Sequence, residues 1–185
     1  MIEFIEEGHI YLLNGVITPC VSNILHFIFP DKYKGVNKTI LNNKAEYGST
    51  VHRAIEYFEQ GLEMPKLNYI QEASVEQYKK LKARYNIEVL SQEQKIHYED
   101  LYCGTYDMEA KVNDIHSLVD IKTTAELDKE YLSWQLSFYE LAIGNEFEKL
   151  YCLWLPKKGL GQLVEVERKT KEELLKVLKD YANIH

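Results

Sequence analysis

The residues best suited to chemistry lie in a short acidic segment near the middle of the chain, at residues 104–124. It contains Asp107, Asp120 and Lys122. The pattern predicts two strands joined by a turn at residues 113–114. In the register that this turn sets, Asp107 lies directly opposite Asp120, and Lys122 points from the same face two residues later.

The apolar residues of the same segment support this register. They alternate along both predicted strands and share one face of the hairpin: Tyr106, Met108, Ala110, Val112, Val119 and Ile121. The opposite face then carries the two aspartates and the lysine together. A loop of odd length would offset the pair, but a bulge that absorbs the extra residue leaves both carboxylates on this face.

Two carboxylates at opposed strand positions indicate a cation site. Their Cβ atoms lie about 4.5–5.5 Å apart, so two ionised groups repel each other and raise each other's pKa. A divalent cation between them removes this penalty, and ligation by oxygen atoms suits Mg²⁺ or Mn²⁺. The Lys122 ammonium can orient or deprotonate a water molecule and offset charge on a phosphate. The alternative is a solvent-exposed hairpin face with ordinary charges.

The elements that must position these residues form a mixed α/β pattern. In chain order, the sequence predicts helices at about 44–60 and 70–85, strands at about 88–98, 102–112 and 117–123, a helix at about 129–143, and strands near 148–155 and 162–167. Thr170 and Glu173 predict a capping box for a last helix that runs to the C-terminus. This order predicts a central mixed sheet flanked by helices.

The first part of the chain predicts a small unit of its own. Residues 3–17 contain short apolar segments separated by turn signals at 7–8 and 14–15, which predicts a β-hairpin. Ser22 is predicted to cap a helix that ends near residue 29. Residues 31–43 are polar and are predicted to form an irregular connection.

The composition is that of an ordinary globular protein: the 185 residues are 45% hydrophobic and 28% charged. The net charge of -7 argues against a protein that coats DNA by bulk charge. Basic residues are densest on the second long helix, where a solvated face and a DNA contact both remain open: Lys79, Lys80, Lys82 and Arg84. Without a signal peptide or a long apolar run, the expected location is cytoplasmic, away from membranes.

The three cysteines do not predict a cofactor. Cys20, Cys103 and Cys152 are far apart in the sequence, and none forms a CxxC pair. A zinc site, an iron–sulfur cluster or a disulfide framework is therefore not expected, and the pattern favours small buried apolar side chains.

Short motifs occur in a fixed order along the chain: Gly48-Ser-Thr-Val-His52, Gly104-Thr-Tyr-Asp107, Asp120-Ile-Lys122 and Gln135-Leu-Ser-Phe-Tyr139, preceded by the segment at 17–25. Together they resemble the PD-(D/E)XK nucleases, in particular the phage-type RecB-like exonuclease branch, over most of the chain. Each motif is weak by itself, but their combination on the expected elements is specific. Tyr106 stands where the superfamily name places Pro, as is usual in this branch, and Cys20 stands where phage-type members usually have Ser.

The resemblance implies a restriction-endonuclease-like core of order αβββαβ, as one nuclease domain over residues 1–185 with the N-terminal hairpin and helix at about 1–30. It implies that Asp107 and Asp120 ligate one or two Mg²⁺ or Mn²⁺ ions, with the Ile121 carbonyl and His52 as further ligands. Lys122 would be the catalytic lysine. Outside this context, a lone helical histidine is more often packed or exposed.

The remaining site residues come from a helix and from one of two glutamates. Gln135 and Tyr139 lie four residues apart on one helical face. The resemblance implies that they brace the site and contact DNA, whereas alone they suggest a surface Gln and a packed Tyr. Glu93 on the first central strand and Glu56, one turn after His52, compete for the additional acidic position, and Glu93 is preferred.

The resemblance implies hydrolysis of DNA phosphodiester bonds. An exonuclease that acts on single- or double-stranded DNA ends in phage or bacterial recombination, replication or repair is favoured. An endonuclease of the same fold, a DNA-binding module without turnover and an unrelated α/β protein remain alternatives; in the last, Asp107 and Asp120 would lie far apart. A homo-oligomer and a recombination or replication partner are left open.

Overall fold

The N-terminal residues form a small antiparallel sheet that packs against the main one. The computed structural model describes residues 1–144 and 147–184. Strands β1 (Ile2–Ile5), β2 (Ile10–Leu13) and β3 (Val16–Thr18) pair in chain order. Asn14 and Gly15 both have positive φ, at 52° and 82°, as a tight hairpin turn of type I′ requires. The predicted hairpin is confirmed, and its strands belong to a three-stranded sheet.

Helix α1 (Val21–Ile28) ties this small sheet to the rest of the chain. Its N-cap is Cys20 rather than the predicted Ser22, because the Asn23 side chain accepts the Cys20 backbone N–H at 2.8 Å. Cys20 also forms an isolated β-bridge with Cys103. Both cysteines and Cys152 are buried, as predicted.

Helix α2 (Lys38–Gln60) begins six residues earlier than the predicted start at residue 44. Asn37 caps it by accepting the backbone N–H of Thr39, so residues 38–43 of the predicted connection are helical. The first turns carry no buried residue, and Tyr47 is the first that α2 buries. The apolar stripe on which the prediction depended was therefore absent there.

The main sheet has five strands in the order β4-β5-β6-β7-β8. The elements are α3 (Tyr69–Arg84), β4 (Ile87–Tyr98), β5 (Tyr102–Val112), β6 (Ile115–Lys122), α4 (Lys129–Ile143), β7 (Lys149–Trp154), β8 (Gln162–Glu165) and α5 (Lys171–Ala182). Strands β6 and β7 are parallel and are connected through α4, while the other pairs are antiparallel. The predicted mixed sheet with flanking helices and the order αβββαβ are confirmed.

Two apolar layers cover the two faces of this sheet. Side chains of α2 and α3 pack with Met108, Val119 and Ile121 on one face. Helices α1, α4 and α5 pack with Leu118 and Tyr106 on the other face. The capping box of Thr170 and Glu173 forms at the start of α5 as predicted; this helix ends at Ala182, and His185 lies outside the described residues. Within residues 1–144 and 147–184, every helix is too short or too polar to traverse a bilayer.

The pairing of β5 with β6 follows the predicted register and then stops before the aspartates. Met108 faces Val119, as predicted, and the ladder ends there. Asp107 and Asp120 are therefore not a paired position, because the Asp107 Oδ2 atom accepts the Ile121 N–H at 2.7 Å in place of a main-chain partner. Beyond the end of the ladder the alternation in burial continues, but Tyr106 packs with the α4 layer and does not share a face with Met108 as predicted.

Candidate active site

The end of the β5–β6 ladder opens into a cleft with a volume of about 930 Å³. Its floor consists of side chains from β4, β5 and β6. One wall is α2 and another is the small N-terminal sheet, with α4 behind the floor. Most of the site residues predicted from the sequence line this cleft: His52, Glu56, Glu93, Asp107, Lys122, Gln135 and Tyr139.

Three groups that can ligate a cation converge in the cleft. One ligand atom each from His52, Glu93 and Asp107 lies within 4.8 Å of the others. The His52 Nδ1 atom is 3.6 Å from Asp107 Oδ1 and 4.0 Å from Glu93 Oε1. Atoms that share one ion at about 2.1 Å each lie no more than about 4.2 Å apart, so both separations are compatible with a shared ion.

The ring orientation of His52 follows from its second nitrogen. His52 Nε2 lies 3.0 Å from the Ile121 carbonyl oxygen, which can only accept, so Nε2 carries the proton. In the neutral ring, Nδ1 then presents a lone pair toward the carboxylates of Glu93 and Asp107. A cation at the point where the three groups converge would be bound by all of them. Ligating histidines typically donate their other N–H to a carbonyl in this way.

Glu93 reaches this cluster because of its backbone conformation. It lies between the paired positions Gln92–Met108 and Gln94–Tyr106, directly opposite Asp107. Its φ of 49° is in the left-handed region that non-glycine residues rarely adopt. Burial, followed by the charges of Asp107, Glu56 and Asp120, raises the pKa of Glu93 to about 8. The protein therefore disfavours a negative charge on Glu93 when no cation compensates it.

Asp120 and Lys122 form a pair beside this cluster. Asp120 is 1% exposed, and its Oδ1 accepts a hydrogen bond from Lys122 Nζ at 2.9 Å. The ammonium also lies 2.7 Å from Oδ2, but outside hydrogen-bond geometry, and Oδ2 accepts no hydrogen bond from the described residues. Burial raises the pKa of Asp120 to about 6 against the opposing effect of Lys122. Burial lowers the pKa of Lys122, but the charges of Asp120 and Asp107 outweigh it and raise the pKa overall.

Two predicted site residues bind the main chain of Ile121. The N–H of Ile121 donates to Asp107, and its carbonyl accepts from His52. Asp120, which precedes Ile121, has a buried oxygen that lacks a hydrogen-bond donor among the described residues. Asp120 is thus not one of the three converging groups, which are His52, Glu93 and Asp107.

Glu56 lies in the same cleft but outside the converging group. Its Oε1 accepts a hydrogen bond from Gln60 at 3.1 Å, along its own helix. Its charge contributes to the raised pKa of Glu93. The structure therefore places Glu93 at the candidate metal position and Glu56 near it.

The residues of two motifs contact each other at the base of the cleft. Gln135 donates a hydrogen bond to the Tyr139 hydroxyl at 3.2 Å, and Gln135 Oε1 is buried without a partner among the described residues. A Cβ atom on Gly104 would lie 2.9 Å from the ring of Tyr139 and 3.2 Å from Val21. A glycine at 104 is thus what lets the tyrosine ring pack against β5, three residues before Asp107.

Sequence reasoning missed the part of the cleft that the N-terminal sheet supplies. The Tyr11 hydroxyl hydrogen-bonds Thr105 Oγ1 at 2.9 Å, and the Phe4 and His9 rings pack with Tyr11 beside the site. Nothing in the local pattern of residues 3–17 indicates where the hairpin docks. Lys95 also lines the cleft, and its position two residues after Glu93 is a signal that strand alternation offered.

Comparison with known proteins finds resemblance at the level of solved structures. No family model matches the chain, and no curated protein matches it. The structure is similar over 91% of this chain to the crystal structure of SSO0001 (76% of that chain, 15% identity, TM-score 0.49). It is similar over 90% of this chain to a phage-related exonuclease from Haemophilus somnus 129PT (90% of that chain, 11% identity, TM-score 0.45). It is similar over 90% to the alkaline exonuclease LHK-Exo from Laribacter hongkongensis (87% of that chain, 12% identity, TM-score 0.48).

Similarity at this level carries no functional conclusion, so the chemistry must be inferred from the side chains of the cleft. They offer a cation position at His52, Glu93 and Asp107, and a buried Asp120 that holds the ammonium of Lys122 beside it. Such a set can bind a divalent ion and place a positive charge next to an anionic substrate.

Proposed function

We propose that the protein is a divalent-metal-dependent nuclease of the PD-(D/E)XK superfamily, RecB-like branch, that hydrolyses DNA phosphodiester bonds. The observation that carries this proposal is the convergence of His52 Nδ1, Glu93 and Asp107 around one point, with His52 Nε2 bound to a main-chain carbonyl. A divalent cation among these three groups would remove the repulsion between their lone pairs.

Mg²⁺ or Mn²⁺ fits the donor set, which consists of carboxylate oxygens and a single imidazole nitrogen. Glu93, Asp107 and His52 would hold the ion. The motif resemblance implies Asp120, whose Oδ2 is buried without a donor among the described residues, and the Ile121 carbonyl, which accepts from His52 Nε2, as further ligands for this or a second ion. When bound, such an ion polarises a phosphate and lowers the pKa of a water molecule.

Lys122 supplies a fixed positive charge in this proposal. Asp120 and Asp107 favour its protonated form, so the ammonium would donate to the phosphate or to the attacking water rather than remove a proton. Its position is fixed by two short contacts to a buried carboxylate. The main contribution of this pair is therefore orientation and charge at the phosphate.

Gln135 and Tyr139 brace the floor in the same proposal. The tyrosine ring packs on Gly104, and its hydroxyl accepts from Gln135. The buried Oε1 of Gln135 accepts no hydrogen bond from the described residues, so it is left as an acceptor in this part of the site.

The finer parts of the proposal derive from the motif resemblance. The favoured substrate is a DNA end, which makes the enzyme an exonuclease in phage or bacterial recombination, replication or repair. The chain would work as one nuclease domain in the cytoplasm of a bacterial or phage-infected cell, with DNA as its partner. Its oligomeric state and protein partners are matters for direct measurement.

A nuclease assay tests the proposal. The substrates are end-labelled linear single- and double-stranded DNA and closed circular DNA, each with Mg²⁺, Mn²⁺ or EDTA. We expect metal-dependent loss of the linear substrates and none with EDTA. Asp120→Asn, which keeps the side-chain shape, should abolish hydrolysis, and Glu88→Gln on the exposed part of β4 should not.

Each alternative predicts a different outcome of the same assay. Cleavage of closed circles would replace the exonuclease by an endonuclease of the same fold. If the wild type and the Asp120→Asn variant were equally inert on every substrate, a DNA-binding module without turnover would replace the enzyme. In that case binding of the same oligonucleotides would still be measurable.

A further inference from the structure

The charges of the cleft oppose the binding of a nucleic acid. The described residues that line it include five with a carboxylate and three with a cationic side chain: Glu6, Glu7, Glu56, Glu93 and Asp107 against Arg53, Lys95 and Lys122. Arg53 lies 3.6 Å from Glu6, so part of this positive charge is already paired. A bound divalent ion offsets only the carboxylates around it. Most of the affinity for a polyanion must therefore come from outside the cleft.

The basic helix α3 is a poor source of that affinity. Lys79 lies 2.7 Å from Glu76, and Lys82 lies 2.5 Å from Glu59, which is largely buried. Two of the four basic residues in this cluster are thus paired with acids of α2 and α3. This pairing favours the interpretation of α3 as a solvated and internally paired face.

A second recess offers unpaired positive charge. It has a volume of about 380 Å³ and is lined by Lys44 of α2, Tyr47, residues 123–125 that follow β6, and Lys157 and Lys158 of the β7–β8 loop. The three lysines are exposed, and none forms an ion pair with a carboxylate in the described part of the chain.

The floor of this recess is rigid. Tyr47 is buried, and its hydroxyl contacts the Ile70 carbonyl at 3.1 Å and Ser74 Oγ at 2.8 Å. The Lys157 ammonium lies 3.7 Å from the centre of the Tyr47 ring, a cation–π contact that restricts the lysine. A basic group held in this way loses little conformational entropy when it binds an anion.

The recess lies in line with the candidate active site. Thr123 and Thr124, which line it, directly follow Lys122 along the chain. Lys44 precedes His52 by two turns of α2, which is about 12 Å along the helix axis. That distance corresponds to roughly three to four base-pair steps along the axis of a duplex, at 3.4 Å each. A strand whose scissile phosphate lies at His52 and Lys122 can therefore reach the lysines.

We propose that the recess formed by Lys44, Lys157 and Lys158 with Thr123 binds backbone phosphates of the DNA strand that is cleaved. The ligand class is an internal phosphodiester, held by ammonium and hydroxyl donors without contact to base edges. This inference rests on the proposed nuclease function. It locates most of the affinity for DNA outside the acidic cleft, beside residues 123–125, which directly follow β6.

A salt titration of DNA binding tests the proposal. The triple variant Lys44→Gln/Lys157→Gln/Lys158→Gln is compared with wild type. Binding of a fluorescein-labelled single-stranded oligonucleotide in EDTA is measured by anisotropy over a range of KCl concentrations. Each lost phosphate contact lowers the slope of log K against log salt by about 0.7, so loss of all three lowers it by about 2.

The matched control changes the net charge equally. Lys171→Gln/Lys176→Gln/Lys179→Gln removes three exposed lysines from α5, which do not line either recess. We expect this variant to keep the wild-type slope. If both triple variants lose slope equally, only bulk charge matters and the proposal is wrong; if neither does, it is also wrong. Lys157→Gln/Lys158→Gln, confined to a loop, repeats the test should the triple variant fold poorly.

Neutral linkages locate the contact along the strand. Single methylphosphonates are moved through the oligonucleotide, and each removes one backbone charge. Wild type should lose affinity at one or two positions a short way from the cleavage point, and the Lys44→Gln/Lys157→Gln/Lys158→Gln variant should not. An identical profile for both proteins overturns the inference. If the two profiles are identical but wild type still degrades DNA with metal, the proposed function stands and only this inference is wrong. If wild type neither binds nor degrades DNA, the proposed function and this inference are both refuted.

Discussion

Gly104→Ala should disturb the candidate active site through one tightly packed contact. The added Cβ would lie 2.9 Å from Tyr139 Cε1 and 3.2 Å from Val21 Cγ2. Carbon atoms prefer a separation of about 3.5–4.0 Å, so the ring must move by at least about 0.6 Å. Tyr139 is 7% exposed and has little space in which to move.

The expected cost follows from this geometry. Insertion of a methyl group into a packed site typically costs about 1–3 kcal/mol, and the lower chain entropy of alanine offsets about 0.5–1 kcal/mol. The net loss should be about 1–2 kcal/mol, which lowers Tm by roughly 3–6 °C in a protein of this size. Movement of the ring also displaces Gln135, so hydrolysis should fall by at least about tenfold. Urea unfolding followed by circular dichroism and a nuclease assay measure the two effects.

A double-mutant cycle makes the test specific. In a Tyr139→Leu background the ring is absent and only the 3.2 Å approach to Val21 remains, so Gly104→Ala should cost clearly less there. The matched control is Gly48→Ala in α2, where a Cβ would meet only Thr123 Oγ1 at 3.5 Å. That variant should gain roughly 0.5–1 kcal/mol from helix propensity. An equal penalty for Gly104→Ala in both backgrounds would refute the packing explanation.

Four further predictions concern the charged groups. Glu93→Gln should weaken Mn²⁺ binding by at least about tenfold, whereas Glu56→Gln should change it by less than about threefold; calorimetry with each variant compares them. Because the pKa of Glu93 is raised from 4.5 to about 8 and that of Asp120 to about 6, protons compete with the ion, so Mn²⁺ affinity should rise between pH 6 and 8. Without metal, the folded state holds the Glu93 proton more tightly than the unfolded chain. Stability from this group is therefore present below about pH 4.5 and lost as pH rises through about 8, a trend that thermal scans should show for wild type and not for Glu93→Gln. Lys122→Met should cost about 3 kcal/mol at neutral pH and abolish hydrolysis, and Asp120→Asn/Lys122→Met should recover stability without activity, as unfolding and nuclease assays would show.

The sequence alone determined the elements and much of the site's local order. Alternation along residues 104–122 predicted the hairpin and the register of Met108 with Val119, because strand periodicity is a local property. Helical spacing placed Gln135 next to Tyr139 for the same reason. Where no apolar stripe existed, as in the first turns of α2, the prediction failed.

Only the tertiary structure decided which acidic groups converge and what surrounds them. Asp107 binds the Ile121 N–H and stands opposite Glu93 rather than Asp120, because the ladder ends at Met108 and β4 turns at Glu93 with a positive φ. The docking of the N-terminal sheet and the grouping of Lys44 with the β7–β8 loop join residues far apart in the chain. Such contacts depend on how whole layers pack, which no local periodicity encodes. The acidic hairpin therefore supplied the chemistry, and packing supplied the partner that completes the candidate metal position.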